Sequence, residues 1–267
     1  MSRIKQRFDD LKSKHKTALI PFITAGDPRP DITVKLMHAL VEAGADLLEL
    51  GVPFSDPMAE GPTIQAACER ALEHGTSLTD VLDMVEEFRK SDSTTPVLLM
   101  GYLNPIEVMG YKKFAQHAGS IGMDGLLTVD MPPEEASGLL SELALANIDP
   151  VFLLAPTTTQ QRIEMITQQT KGFVYYVSLK GVTGVKSLEI KPVEKKIKEI
   201  RQLTDLPIGV GFGIKDAESA ASVAQVADAV VVGSAIVSLM AKHKEDEQAI
   251  LTQVPSFLQE LRRAVDI

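Results

Sequence analysis

Short apolar runs recur along the chain, separated by stretches in which apolar residues return every three or four positions. Strands are expected at 18–24, 46–50, 96–101, 125–129, 150–154, 173–178, 208–211 and 229–232, where aliphatic and β-branched residues cluster. Two of these, 150–154 (PVFLL) and 229–232 (AVVV), are apolar almost throughout, the pattern of a parallel sheet covered on both faces. Helical spacing with a polar face occupies 31–43, 62–73, 133–146, 159–170, 191–203 and 216–225. Eight strands alternating with helices in this length predict an α/β fold that closes into a (β/α)8 TIM barrel in preference to an open doubly wound sheet.

Three segments exceed that alternation. An N-terminal amphipathic helix carrying Ile4, Phe8 and Leu11 is expected to cover one end of the barrel, and further peripheral helices are expected at 78–90 and 247–265. No linker or shift of composition divides the chain, so a single domain over 1–267 is expected.

Composition narrows the function classes. The chain carries a net charge of −9, with 45% hydrophobic and 24% charged residues and no Lys/Arg cluster, which argues against a nucleic acid or an anionic membrane as partner. A small anion stays open, because backbone N–H groups can hold it whatever the net charge. Cys68 is the one cysteine, so an intramolecular disulfide is excluded; a reducing, cytoplasmic setting and a buried thiol are expected. The five histidines show no metal-ligand spacing, and no metal is expected. The start of the chain intersperses charge with apolar residues and lacks a signal-peptide core. The longest apolar stretch, 220–241, is interrupted by Gln225, Asp228 and Gly233 and reads as helix end, strand and helix rather than a membrane span.

In such barrels, functional groups gather at the C-terminal ends of the strands. Glu49 interrupts an apolar run where the second strand should end, and by the two-residue period it shares the inward face with Leu47. A salt-bridged or solvated strand-end carboxylate is the competing reading of the same segment. The loop that follows, 52–62 (VPFSDPMAEGP), is dense in proline and carries Asp56 and Glu60, so it can hold an acid in place at limited entropic cost or serve as a rigid solvated turn. Strand seven runs into Gly211 and Gly213 and strand eight into Gly233 and Ser234, each followed by a helical pattern. Glycine turns before two helix N-termini suit a phosphate, a frequent feature of the loops after these strands, or serve tight βα turns that need glycine for geometry alone. The segment 178–184 (SLKGVTG) has glycines on both sides of Thr183 and can act as a lid, and Lys180 within it raises Schiff-base chemistry as an alternative.

The motif 49–57 (ELGVPFSDP), followed by 61–65 (GPTIQ), closely resembles the tryptophan synthase alpha subunits. Segments 21–28 (PFITAGDP), 130–132 (DMP), 181–184 (GVTG), 211–214 (GFGI) and 233–236 (GSAI) resemble family segments in the same order. The resemblance implies a carbon–carbon lyase that splits indole-3-glycerol phosphate into indole and glyceraldehyde 3-phosphate by a retro-aldol reaction, without metal or organic cofactor. It implies that Glu49 is the principal catalytic carboxylate and that Glu60 stands for the second. The family usually has aspartate there, whereas this chain reads AEGP over 59–62, one methylene longer. It further implies an indole pocket of Phe22, Met100, Tyr102, Leu127, Val129, Leu153, Tyr175, Phe212 and Val231, with Thr183 on the lid. Phosphate contacts are implied at Gly184, Gly213, Gly233 and Ser234. The implied partner is a pyridoxal-phosphate beta subunit in an alpha2-beta2 heterotetramer, approached by the loops containing Asp56 and Asp130. A catalytically weak barrel kept as an allosteric or indole-delivering partner is the alternative that the Glu60 departure raises.

Overall fold

The computed structural model describes residues 2–178, 190–211 and 213–266. Among these the strands are β1 (Ala18–Thr24), β2 (Leu48–Gly51), β3 (Val97–Gly101), β4 (Gly125–Thr128), β5 (Asp149–Val151), β6 (Leu153–Leu154), β7 (Val174–Val177), β8 (Ile208–Gly211) and β9 (Ala229–Val232). All pair in parallel, in the order β5-β4-β3-β2-β1-β9-β8-β7-β6. The fifth expected strand is therefore two pieces separated at Phe152. β5 pairs with β4 and β6 with β7, so the two ends of the order are consecutive in the chain and the barrel closes through Phe152. The Phe152 carbonyl accepts the N–H of Tyr175 at 3.2 Å. Pro150 in the first piece brings no N–H to the ladder, which accounts for the irregularity at this strand.

Twelve α-helices surround the strands: α1 (Arg3–Ser13), α2 (Pro30–Glu42), α3 (Pro62–Glu73), α4 (Leu78–Arg89), α5 (Leu103–Met109), α6 (Tyr111–Ser120), α7 (Ser137–Leu145), α8 (Gln160–Gln169), α9 (Ile190–Ile200), α10 (Ala217–Ala224), α11 (Ser234–Lys242) and α12 (Glu247–Val265) among the described residues. Proline at the first turn starts α2 and α3, and a Ser77–Asp80 capping box starts α4. The helical pattern over 133–146 resolves into a 3-10 turn, Pro133–Glu135, and then α7, as the consecutive prolines 132 and 133 constrain its entry. The pair α5 and α6 escaped the sequence reading. They are short, and Gly110 at φ +87 separates them, so neither offers enough turns for a periodic signal.

Strand alternation sorts the apolar residues into two cores. Ala18, Ile20 and Phe22, Leu98 and Met100, Phe173 and Tyr175, and Ala229 and Val231 point inward and form the barrel interior. The intervening residues, such as Leu19, Leu99, Val174 and Val230, pack outward beneath the helices. Ile4, Phe8 and Leu11 of α1 join the inner set, with the Phe8 and Phe173 rings 5.5 Å apart. The N-terminal helix therefore closes the lower end of the barrel.

Aspartates just before strands tie that end together. Asp46 accepts the N–H of Leu19 at 2.9 Å, Asp124 that of Val97 at 2.8 Å and Asp228 that of Ile208 at 2.9 Å. Arg262, Arg89 and Arg201 respectively bridge to these carboxylates. Charge-assisted bonds of this kind fix the strand starts and leave the opposite rim to the βα loops.

Candidate active site

Glu49 lies on β2 with Phe22 beside it on β1 and Leu98 beside it on β3. Both neighbours belong to the inner set, so the two-residue period carries the carboxyl group into the barrel. It is 0% exposed, and neither oxygen has a hydrogen-bond partner among the described residues. Burial, followed by the nearby Glu60 carboxylate, pushes its pKa up to about 8. Burial likewise pushes Glu60 up to about 7. The salt-bridged alternative for Glu49 is excluded by this geometry, and the two acids face each other's field in an apolar setting.

A cavity of about 570 Å³ opens over them, a size suited to a small organic ligand. Glu49 and Glu60 form its acidic part, and Phe22, Met100, Tyr175 and Val231 form apolar wall. Gly213, Gly233 and Ser234 border the same space. Helix α11 starts at Ser234 behind Gly233, which has no side chain with which to cap it. No other described residue bonds the first N–H groups of this helix, which stand with the positive end of the helix dipole at the cavity wall. The helix after β8 differs. Its N-terminus is filled by the Asp216 carboxylate, which accepts the Ser219 N–H at 2.9 Å, so only one of the two helix ends foreseen for an anion is bare.

The other sequence candidates are distributed as follows. Leu127 lies in the inner core, and Val129 and Leu153 pack against it, but none of the three borders the cavity. Tyr102 is turned to the second βα loop: its ring stacks on Phe54 at 5.0 Å and its hydroxyl oxygen accepts the Ala59 N–H at 2.9 Å. Asp130 accepts the Leu103 N–H at 2.8 Å and so holds the first turn of α5. Asp56 accepts the hydroxyl of Ser55 at 2.6 Å on the exposed part of its loop. Lys180, Thr183, Gly184 and Phe212 lie outside the described residues. Cys68 is buried on α3, and burial raises its thiol pKa.

Ile64, Val177 and Ile214 also line the cavity and were not singled out from the sequence. Val177 could have been found by continuing the alternation from Tyr175. Ile64 falls in the first turn of α3, where nothing in the sequence shows which way that turn faces. Among the described residues no group of three His, Cys, Asp or Glu side chains is placed to hold a metal ion, and no helix is long and apolar enough to cross a membrane.

Residues 8–266 match the family model described as tryptophan synthase alpha chain. The tryptophan synthase alpha chain of Thioalkalivibrio sulfidiphilus is 59% identical over 266 residues, covering 100% of both chains, and that of Marinobacter nauticus is 57% identical over 100% of this chain and 98% of its own. The solved tryptophan synthase subunit alpha from Legionella pneumophila superposes with a TM-score of 0.94 at 47% identity, covering 100% of this chain and 99% of that one. A solved Mycobacterium tuberculosis tryptophan synthase superposes with a TM-score of 0.90 at 34% identity, over 100% and 99% of the two chains. Full-length agreement in sequence and fold, with a buried and a half-buried acid and a helix start on one cavity, shows that this chain belongs to the tryptophan synthase alpha chain family, the carbon–carbon lyases that act on indole-3-glycerol phosphate in tryptophan biosynthesis.

Proposed function

We propose that this chain, acting as one domain, cleaves indole-3-glycerol phosphate by a retro-aldol reaction in the 570 Å³ cavity, with Glu49 as the proton-transfer group and Glu60 as its electrostatic partner. The observation that carries the reading is a fully buried Glu49 carboxyl that has no hydrogen-bond partner among the described residues, on the same cavity as the N-terminus of α11, which none of their side chains caps. A pKa of about 8 keeps Glu49 protonated near neutrality, as a general acid requires. It donates its proton to indole C3, which turns the ring into an indoleninium cation. The resulting carboxylate then accepts the proton of the adjacent glycerol hydroxyl. The carbon–carbon bond breaks, its electron pair returns to the ring, and indole and glyceraldehyde 3-phosphate are left. Glu49 ends as it began.

Glu60, with the lower pKa of about 7, supplies the anion for the positive charge that develops at the ring N–H. Gly213, Gly233 and Ser234 take the phosphate against the helix dipole, and the family resemblance adds Gly184. Phe22, Met100, Tyr175 and Val231 pack against the indole; the family resemblance adds Phe212, while Leu127, Val129 and Leu153 stay with the inner core, off the cavity wall. The same resemblance gives Thr183 the role of lid residue. The indole passes to a beta subunit in an alpha2-beta2 assembly, contacted by the loops of Asp56 and Asp130, and the setting is cytoplasmic.

The test is an assay of the purified chain on indole-3-glycerol phosphate. Equimolar release of indole and glyceraldehyde 3-phosphate, abolished by Glu49→Gln and raised by added beta subunit, is expected. No release in either condition contradicts the reading and leaves a barrel that serves only as a partner. Release that persists unchanged in Glu49→Gln contradicts the assignment of the acid.

A further inference from the structure

Glu60 presents an unusual problem of aim. Its carboxylate makes no hydrogen bond or ion pair among the described residues, and it extends from a loop rather than from a strand or helix. A side chain with three rotatable bonds and no partner can point correctly only if the backbone that bears it is fixed. Three backbone polar groups around it are tied down. The N–H of Ala59 donates to the Tyr102 hydroxyl oxygen at 2.9 Å, and that ring is stacked on Phe54 of the same loop. The N–H of Glu60 donates to the Pro57 carbonyl at 3.0 Å. The Glu60 carbonyl accepts from Nε2 of Gln65 at 2.8 Å.

Two of these ties come from outside the turn. Gln65 is anchored on α3, where its own N–H bonds to the Gly61 carbonyl at 3.0 Å, and Tyr102 stands at the N-cap of α5. A half-buried glutamine on the first turn of a helix has no structural need to bond backward to a loop carbonyl, since solvent can satisfy that group. What the bond achieves is to hold the residue that carries the acid.

We propose that Gln65 and Tyr102 are positioning residues for the cleavage: they clamp the backbone on the two sides of Glu60 and thereby aim its carboxylate into the cavity. The proposal rests on the reading of Glu60 as the second acid. It assigns Tyr102 to the loop rather than to the indole wall, and it gives Gln65 a part that neither composition nor spacing suggested.

The test is a pair of double-mutant cycles. Gln65→Met preserves length and burial while removing the donor, and Tyr102→Phe preserves the stacked ring while removing the acceptor. Each is made in the unmutated chain and in Glu60→Gln, and steady-state kinetics, pH profile and thermal midpoint are recorded. In the unmutated background each lowers kcat about 10- to 100-fold, the range expected for a group displaced by up to ~1 Å, while KM moves less than about 3-fold because the phosphate anchor is untouched. In Glu60→Gln, with no carboxylate left to aim, each causes less than about 2-fold further loss. An equal loss in both backgrounds identifies a general structural effect and overturns the proposal, as does an unchanged kcat in the unmutated chain. If Glu60→Gln itself cleaves at the unmutated rate, the reading of Glu60 fails and the clamp falls with it, an outcome separate from the other two.

Discussion

The ring of Phe22 lies over the backbone of Gly51, so that a Cβ at Gly51 would stand 2.6 Å from the Phe22 Cζ. Gly51 is two residues beyond Glu49 on β2, and Phe22 lies beside Glu49 in the strand register. The absence of a side chain at 51 is therefore what allows the aromatic wall to stand next to the acid. Gly51→Ala should push the ring into the cavity, raising KM about 10-fold and costing about 1–3 kcal/mol of stability through overpacking. Michaelis kinetics and urea unfolding check this; an unchanged KM means that Phe22 has another place to go.

The two raised carboxyl groups predict a bell-shaped pH profile for kcat/KM. Activity rises as the Glu60 side of the pair ionises near pH 7 and falls as the Glu49 side loses its proton near pH 8, the two values belonging to the interacting pair. Glu60→Gln should lower activity and remove the acid limb. A profile in Glu60→Gln with the same acid limb would assign that ionisation elsewhere.

Stability should depend on pH through the same groups. Their folded pKa values lie above the ordinary 4.5, so protonated carboxyls favour the folded state. The stability they contribute is complete below about pH 4.5, where both states are protonated, and is lost as pH rises towards 8 and the unfolded chain ionises first. Glu49→Gln escapes the larger part of this loss. It should become more stable than the unmutated protein by ~3 kcal/mol on moving from pH 5 to pH 9. Urea midpoints at the two pH values measure the change; a constant difference contradicts it.

The bare end of α11 predicts sensitivity to charge. Ser234→Asp places a carboxylate where a phosphate should sit, and it should raise KM about 10- to 100-fold with a smaller effect on kcat. Inorganic phosphate should compete weakly with substrate in the unmutated chain and lose that effect in the variant. Retained competition would locate the anion elsewhere.

The barrel was legible because Ala18–Thr24, Val97–Gly101 and Ala229–Val232 are short apolar runs with helical periods between them, and α1 was legible because Ile4, Phe8 and Leu11 share one face. The split of the fifth strand at Phe152 was not, since it depends on which neighbour each half meets around the ring. Glu49 could be read because a charge inside an apolar strand is conspicuous and its direction follows from a period of two. Tyr102 could not be placed in this way. An aromatic residue at a strand end packs equally well into a pocket or onto a loop, and the choice is made by Phe54 and Ala59, both distant in sequence. Gln65 stood out only as the end of the GPTIQ segment, and its part in holding Glu60 was not legible, because a polar residue on a helix face is what solvent exposure also produces. Likewise, the Asp216 cap that closes the helix after β8 is a choice between two uses of one helix end, which a glycine pattern leaves open.

The central claim is that Glu49 moves the proton on a substrate held mainly by other groups. Its most direct measurement is single-turnover cleavage of indole-3-glycerol phosphate by Glu49→Gln, with substrate affinity determined in parallel by equilibrium binding. The account predicts a dissociation constant within about 3-fold of the unmutated protein and bond cleavage slower by on the order of 1000-fold or more, the scale of one lost acid–base group. Cleavage at a near-normal rate, or loss of binding in proportion to the loss of rate, would contradict it.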